Sequence, residues 1–338
     1  MVVNFINGHN RGAIDHHRTM RGSQMSKPFP GPGLAKLLAE NLTRKIAKIA
    51  STGLLVSTWM LLTAIISSPI VAQESNHNAP QASNPEKNVG YLVRDIIEHE
   101  IDAQAKDKSL WCYRKLEEKD GPRRLFMVCQ AKGAQIERLL AVNGKPLDKI
   151  QQETENQRIR NLLHSKRELQ KQERRRHEDG KQATELLELI PDAFVFRIEE
   201  KDGNRIKVKF TPNPAFHPSG HQAEVFYHME GTLTLDMDQK RLAEINGRLK
   251  SPVKFGGGLL GHLDEGGTFL VKQQEVGPGC WEMTTMDVQM SGKALFFKTI
   301  AVRQKEIDSE FQPVPASATI EQAAEMTKDK VIAAAVRK

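Results

Sequence analysis

The stretch that decides the fold is residues 194–210 (FVFRIEEKDGNRIKVKF), in which apolar and polar residues alternate on both sides of a Gly-containing turn. Alternation with a period of two puts every second side chain on one face of a strand, and the turn joins the two runs into a hairpin. Similar runs follow at residues 224–238 (EVFYHMEGTLTLDMD), 242–249 (LAEINGRL), 268–276 (TFLVKQQEV), 281–292 (WEMTTMDVQMSG) and 294–304 (ALFFKTIAVRQ). Consecutive strands with short connections predict one large antiparallel sheet.

A three-stranded meander is predicted upstream of this sheet. A first hairpin centred on Asp120 and Gly121 places Cys112 directly opposite Cys129. Opposed positions of an antiparallel pair have the separation that a disulfide needs, and an oxidising compartment allows the bond. We expect either this disulfide or, if the register slips at Pro122, two buried free thiols. The predicted strands are residues 109–118, 123–131 and 135–142.

Two long segments have helical periodicity. In residues 89–105 apolar side chains recur every three to four positions, which leaves Glu98, His99, Glu100 and Asp102 facing mainly solvent. Residues 147–190 form a second, highly charged helix that starts after Pro146, has its expected break near Gly180 and ends at Pro191. The sequence therefore predicts an α+β fold, in which amphipathic helices cover a large curved antiparallel β-sheet of half-barrel-like shape.

The N-terminal 72 residues have the order typical of an export signal. Arg44, Lys45 and Lys48 precede an apolar run at residues 53–72, and Ala72 offers a signal-peptidase site before Gln73. At about 20 residues, the run is also long enough for an uncleaved inner-membrane anchor. Both interpretations place residues 73–338 outside the cytoplasm, in the periplasm or cell envelope.

The predicted organisation has five parts. They are a disordered or mis-called extension (1–43), a signal peptide or membrane anchor (44–72), a linker (73–88), a single α+β domain containing the charged helix (89–311), and a C-terminal tail with a short helix (312–338). Residues 1–72 contain eight Lys or Arg and two Asp or Glu, which leaves 41 cations against 40 anions in the rest. No nucleic-acid partner is expected, because such binding needs a surplus of cations.

Motifs of catalytic or cofactor chemistry are weak in this sequence. Residues 255–261 (FGGGLLG) match GxGxxG by count, but a turn and a strand follow instead of a helix, so they predict a glycine-rich bend. His217 and His221 are four apart in a Pro-rich loop and could approach His228 and His262, yet no carboxylate or cysteine stands at ligand spacing. We expect no metal, no cofactor and no enzymatic activity; a hydrolase with a loop histidine site is the alternative.

Three segments of the strand region resemble a known superfamily: residues 231–249 (GTLTLDMDQKRLAEINGRL), 253–271 (VKFGGGLLGHLDEGGTFLV) and 292–307 (GKALFFKTIAVRQKEI). Over residues 90–310 the strand pattern is similar to exported bacterial proteins of the lipoprotein-carrier-like (LolA/LolB-type) superfamily. It also resembles an uncharacterised group of exported bacterial proteins with FGxGLLG and ALxFKTI strings. The resemblance implies a half-open sheet around an apolar cavity plugged by helices, and carriage of an acyl chain or a lipoprotein.

Two binding functions follow from these features. In the first, the concave sheet face binds lipid or a lipoprotein acyl chain; the same residues would fill a core if the face is not hollow. In the second, an envelope docking protein holds an acidic partner or acidic headgroups on a coiled-coil-like charged arm, which could instead be a solvated face. The candidate cavity residues are Phe226, Leu233, Leu235, Phe255, Leu259, Leu260, Phe269, Trp281, Phe296 and Phe297, and the candidate partner-binding residues are Arg167, Lys171, Arg174, Arg175 and Arg176.

Overall fold

The computed structural model describes residues 85–119, 121–217, 223–255, 258, 261–294 and 298–335. These residues form thirteen strands in one open antiparallel sheet, with four α-helices, so the predicted α+β class is confirmed. The helices are α1 (Pro85–Lys106), α2 (Lys149–His164), α3 (Lys166–Ala193) and α4 (Ile320–Ala335), and a short 3-10 helix spans Ala223–His228. The strands are β1 (Leu110–Lys119), β2 (Arg123–Ala131), β3 (Ala134–Val142), β4 (Lys145–Pro146), β5 (Phe194–Asp202), β6 (Arg205–Pro212), β7 (Met229–Asp236), β8 (Arg241–Leu249), β9 (Val253–Phe255), β10 (Gly261–Leu263), β11 (Thr268–Gly277), β12 (Cys280–Ala294) and β13 (Lys298–Val314).

The predicted extension (1–43), the signal or anchor segment (44–72) and most of the linker (73–88) lie outside the described residues. Helix α1 begins at Pro85, inside the predicted linker. Among the helices of the described part, none has the length and apolar content needed to cross a membrane.

The sheet runs in the order β4-β3-β2-β1-β13-β12-β11-β8-β7-β6-β5, with β10 paired to both β9 and β12. Most neighbours are hairpins, as the short turns predicted. Inside the sheet, however, the first strand pairs with the last: Leu110 lies opposite Val314, and Lys119 lies opposite Gln304. The glycine-rich bend connects the antiparallel strands β9 and β10, in which Phe255 pairs with Gly261. Gly258, between them, has φ 95°.

Two helices cover the apolar face of β5–β12. The inward residues of α1, among them Val93, Ile96 and Ile97, pack in one cluster with Leu187 and Ile190 of α3 and with the sheet. These side chains are at most 5% exposed. Burying an aliphatic side chain of this size contributes about 1.5–3 kcal/mol each, so this layer fixes both helices on the sheet.

The charged segment predicted as one helix at 147–190 is two helices. Pro146 belongs to β4, and Asp148 caps α2 in a capping box with Gln151. The break falls at Ser165, whose hydroxyl caps α3, because a serine side chain competes with helical hydrogen bonding and favours a cap. Helix α3 then continues through Gly180 and includes Pro191 in its last turn.

The predicted C-terminal tail is part of the domain. Strand β13 continues to Val314, and α4 packs Ala323 and Ala324 on the β1–β3 end of the sheet, in a cluster with Ile136. The guanidinium Nε of Arg138 also donates to Thr327 Oγ1 of α4 at 2.9 Å. Small alanine side chains allow close approach of a helix to a sheet, and this is the reason why a weakly apolar helix is buried here.

The first hairpin has the predicted register. Cys112 pairs with Cys129, Arg114 with Met127 and Leu116 with Leu125. Both cysteines are fully buried, and the structure joins them in a disulfide with a Cα–Cα distance of 4.1 Å. Cys280 is the free cysteine of the described residues.

Replacing both cysteines with alanine (Cys112→Ala, Cys129→Ala) should lower the free energy of unfolding by about 2–4 kcal/mol, because a closed loop of this length restricts the unfolded chain. Urea unfolding of the double variant measures the loss. The matched control is Cys280→Ala, for which we expect a change within about 0.5 kcal/mol. An unchanged midpoint in the double variant would contradict a stabilising disulfide.

Candidate functional site

The described part of the predicted concave face is filled. Phe226, Leu233, Leu235 and Phe269 are at most 5% exposed and pack in the same cluster as the inward residues of α1 and α3. The ring of Phe269 lies over Gly247, where an added Cβ would be 2.4 Å from the ring. In this region the helices occupy the space that a cargo would need.

The other predicted cavity residues are placed differently. Trp281 is buried, and its indole nitrogen donates to Gln239 Oε1 at 2.8 Å. Phe255 stands in β9, and nothing is described of its side chain. Leu259, Leu260, Phe296 and Phe297 lie outside the described residues.

Helix α3 has an apolar inner side only in its C-terminal half. There, Ala183, Leu186, Leu187 and Ile190 are buried on the sheet. The N-terminal half carries Arg167, Lys171, Arg174 and Arg175 at positions i, i+4, i+7 and i+8, which share one side of a helix. We call these four residues the basic face.

The basic face has few internal partners. Arg167, Arg174 and Arg175 are exposed, and none of them makes a hydrogen bond or ion pair to another residue that the structure describes. Lys171 is half-buried and lies 3.6 Å from the carboxylate of Glu168. Three guanidinium groups are therefore presented to solvent on about 12 Å of helix axis, since each residue advances the helix by about 1.5 Å.

Arg176, predicted with the basic face, turns towards the sheet instead. Its NH1 group donates to Gln135 Oε1 of β3 at 3.4 Å, and burial lowers the pKa of its guanidinium although nearby Tyr113, Glu173 and Glu137 oppose the shift. Position 176 precedes the buried residues Asp179 and Ala183 by three and seven positions, which is about one and two helical turns. All three positions therefore lie on the same side of α3, the side that faces inward. Arg176 cannot serve an external partner in this position.

A polar layer lies on the same side of the sheet as Arg176. Lys115 of β1 is 5% exposed at its side chain and pairs with Glu137 of β3 at 2.7 Å. Gln135 donates to the same carboxylate at 2.8 Å. The inner side of α3 is therefore polar in the N-terminal half and apolar in the C-terminal half. Polar contacts with β3 hold the N-terminal half on the sheet, while its outer side stays charged.

The residue that the sequence interpretation missed most clearly is Glu100. It was expected to face solvent, but it is fully buried, and Arg241 of β8 donates to it from Nε at 2.7 Å and from NH2 at 2.9 Å. Gln104 and the Leu242 amide also donate to this carboxylate. Glu100 lies three and four residues after Ile97 and Ile96, so the apolar stripe of α1 already pointed to its burial.

Burial and bonding act in opposite directions on two neighbouring carboxyls. Burial raises the pKa of Glu100, but hydrogen bonds and charge from Arg241, with Gln273 and Gln104, outweigh it and hold the pKa below its ordinary value. Glu282 of β12 is 5% exposed, and burial together with the charge of Asp107 raises its pKa to about 8, against a smaller opposing effect of Arg241. Glu282 is therefore mainly protonated at neutral pH.

The histidines do not form a site in the described residues. His217 is exposed, His228 hydrogen-bonds Ser251 at 2.8 Å, and His262 lies 3.2 Å from the carboxylate of Asp264. His221 lies outside the described residues. Burial and the charge of Lys250 lower the pKa of His228, with Glu224 opposing. No group of three His, Cys, Asp or Glu side chains in the described ranges is arranged to hold a metal ion.

Comparison with known proteins gives a distant structural likeness. The crystal structure of a DUF1329 family protein from Desulfovibrio piger is similar with 9% sequence identity and a TM-score of 0.24, over 72% of this chain and 100% of that chain. No protein-family model matches the chain, and no curated protein matches it.

Proposed function

We propose that this protein is a non-enzymatic component of the cell envelope that docks an anionic partner on the basic face of α3. The observation that carries the proposal is the set of three exposed guanidinium groups, Arg167, Arg174 and Arg175, that have no partner among the described residues. Arginine binds carboxylates and phosphates through two parallel hydrogen bonds, and a guanidinium already paired within the protein could not do so.

The position of the basic face supports a docking role. The C-terminal half of α3 is fixed by buried apolar contacts, and the N-terminal half is held through Arg176 and Gln135. Cations on a fixed helix lose less conformational freedom on binding than cations on a mobile loop, so less of the interaction energy is lost to ordering. Export through residues 53–72 would bring this surface into the envelope.

Carriage of lipid or a lipoprotein acyl chain on the concave face is the competing proposal. It rests on the superfamily resemblance and on the undescribed side chains of Phe255, Leu259, Leu260, Phe296 and Phe297. We base our choice of docking on the packing of Phe226, Leu233, Leu235 and Phe269 in one cluster with residues of α1 and α3, because a carrier needs free volume beside these residues. An acyl chain that co-purifies in a one-to-one ratio would reverse this preference.

The triple variant Arg167→Gln, Arg174→Gln, Arg175→Gln should leave an immobilised sulfated polyanion, heparin, at clearly lower salt than the wild-type protein, because screening competes directly with exposed charge pairs. The matched control is Arg197→Gln, Lys201→Gln, Lys254→Gln, which removes three exposed cations elsewhere and gives the same net charge. Equal elution of the two triple variants would mean that net charge alone governs binding, and the docking proposal would fall. Thermal unfolding of both variants checks that each is folded.

A further inference from the structure

We infer that the partner of the basic face is the anionic surface of a lipid bilayer, against which α3 lies with Arg167, Lys171, Arg174 and Arg175 at the headgroups. This inference rests on the docking function proposed above and names its partner. It concerns the outer side of α3 and needs no cavity in the sheet.

The first argument is the composition of the surface. The exposed residues of α3 between 166 and 181 are all charged or polar: Lys166, Arg167, Glu168, Gln170, Glu173, Arg174, Arg175, His177, Glu178 and Lys181. A stable protein–protein interface has an apolar centre with aromatic or aliphatic anchors. A plane of anionic headgroups needs a surplus of cations and no apolar anchor, and this set has five Lys or Arg against three Glu, so the surface fits a bilayer better than it fits a folded protein.

The second argument is the position of the surface relative to the apolar segment. Helix α1 and the C-terminal half of α3 pack on the same face of the sheet, in one cluster. Residues 73–84 separate the apolar run at 53–72 from the start of α1 at Pro85. An extended chain of that length reaches about 40 Å, so a domain tethered by the apolar run can bring this side of the sheet to the membrane.

The third argument is one of magnitude. A cation close to an anionic membrane surface improves partitioning by about fivefold, so four of them give at most several hundredfold. Binding of that strength is reversible and needs a second membrane signal to become stable. As an uncleaved anchor, the apolar run at 53–72 would supply such a signal, and the basic face would then set the orientation of the domain and not its attachment.

The test uses the full chain with Cys280→Ala and a single new cysteine, Gln170→Cys, which is exposed at the side of the basic face, one helical turn from Arg167 and from Arg174. The protein is added to vesicles of phosphatidylcholine alone, or of equal parts phosphatidylcholine and phosphatidylglycerol, and the rate of labelling by a membrane-impermeant maleimide is measured. We expect labelling to be about tenfold slower on the anionic vesicles, and the difference to disappear at high salt or when Arg167, Arg174 and Arg175 are changed to Gln. In the matched control, Lys201→Cys on the edge strand β5 should be labelled equally on both.

Equal labelling of position 170 on both vesicles would overturn the lipid inference. If the triple variant still left heparin early, the docking function would stand and its partner would be an acidic protein. If it did not, both proposals would fall together. Slow labelling on neutral vesicles as well would also overturn the inference, because the contact would then not depend on charge.

Discussion

Replacement of Glu100 by alanine should lower the free energy of unfolding by about 3–5 kcal/mol, because it leaves the buried guanidinium of Arg241 without its counterion. Both side chains are at most 6% exposed and are joined by two hydrogen bonds. The Leu242 amide and Gln104 lose their acceptor in the same variant. Urea unfolding at neutral pH, followed by circular dichroism, measures the change.

Two controls distinguish the loss of the buried ion pair from a general effect of substitution in α1. Glu98→Ala removes an exposed carboxylate from the same helix and should cost no more than about 0.5 kcal/mol. The double variant Glu100→Met, Arg241→Met should be more stable than Glu100→Ala, because no unpaired charge remains buried. A loss no greater than that of Glu98→Ala would show that the pair is open to water in solution.

The wild-type protein should lose stability relative to the Glu282→Gln variant as the pH rises from about 4.5 to about 8. The raised pKa of Glu282 means that the folded protein keeps a proton that the unfolded chain releases near its ordinary pKa of 4.5. Its contribution is therefore complete below that value and is lost as the pH rises through about 8. A shift of this size corresponds to about 4–5 kcal/mol across the window, and glutamine, which does not titrate, removes it.

Unfolding curves for both proteins between pH 5 and pH 9 give the difference directly. Glu275→Gln is the opposite control, because hydrogen bonds from the Gly279 amide and Gln239 lower the pKa of the exposed Glu275 carboxyl. Its contribution is complete above the ordinary pKa of 4.5, so the difference between the wild-type protein and Glu275→Gln should stay constant over this range and fall only at lower pH. If the difference in free energy of unfolding between the wild-type protein and Glu282→Gln stays constant over this pH range, Glu282 is not protonated in the folded protein.

Local signals predicted the hairpins of the sheet. The register of the first hairpin followed from the position of one turn, and the β5–β6 hairpin followed from alternation around Gly203. Both features depend on residues close in sequence, where turn geometry fixes the pairing. The basic face was also visible, because its spacing is that of a helix.

Features that depend on distant contacts could not be predicted. The apolar stripe of α1 points to position 100 as an inward one, but it does not show that Arg241, far along the chain, supplies the counterion with which a carboxylate can be buried. Arg176 turns inward because β3 lies beneath it, and α4 joins the core because β2 and β3 offer it a surface. Sequence periodicity shows which residues share one side of a helix or strand. Which of the polar residues are buried depends on the element that packs against that side.

The pairing of β1 with β13 inside the sheet also bears on folding kinetics. Strand β1 cannot pair with β13 until residues 304–314 have been synthesised, so the β1–β4 part of the sheet stays separate from the rest until then. Contacts of such long sequence separation give a high contact order and slow folding. Until β13 has been made, the strand edges that it will cover stay unpaired, and unpaired edges of this kind are where folding intermediates aggregate.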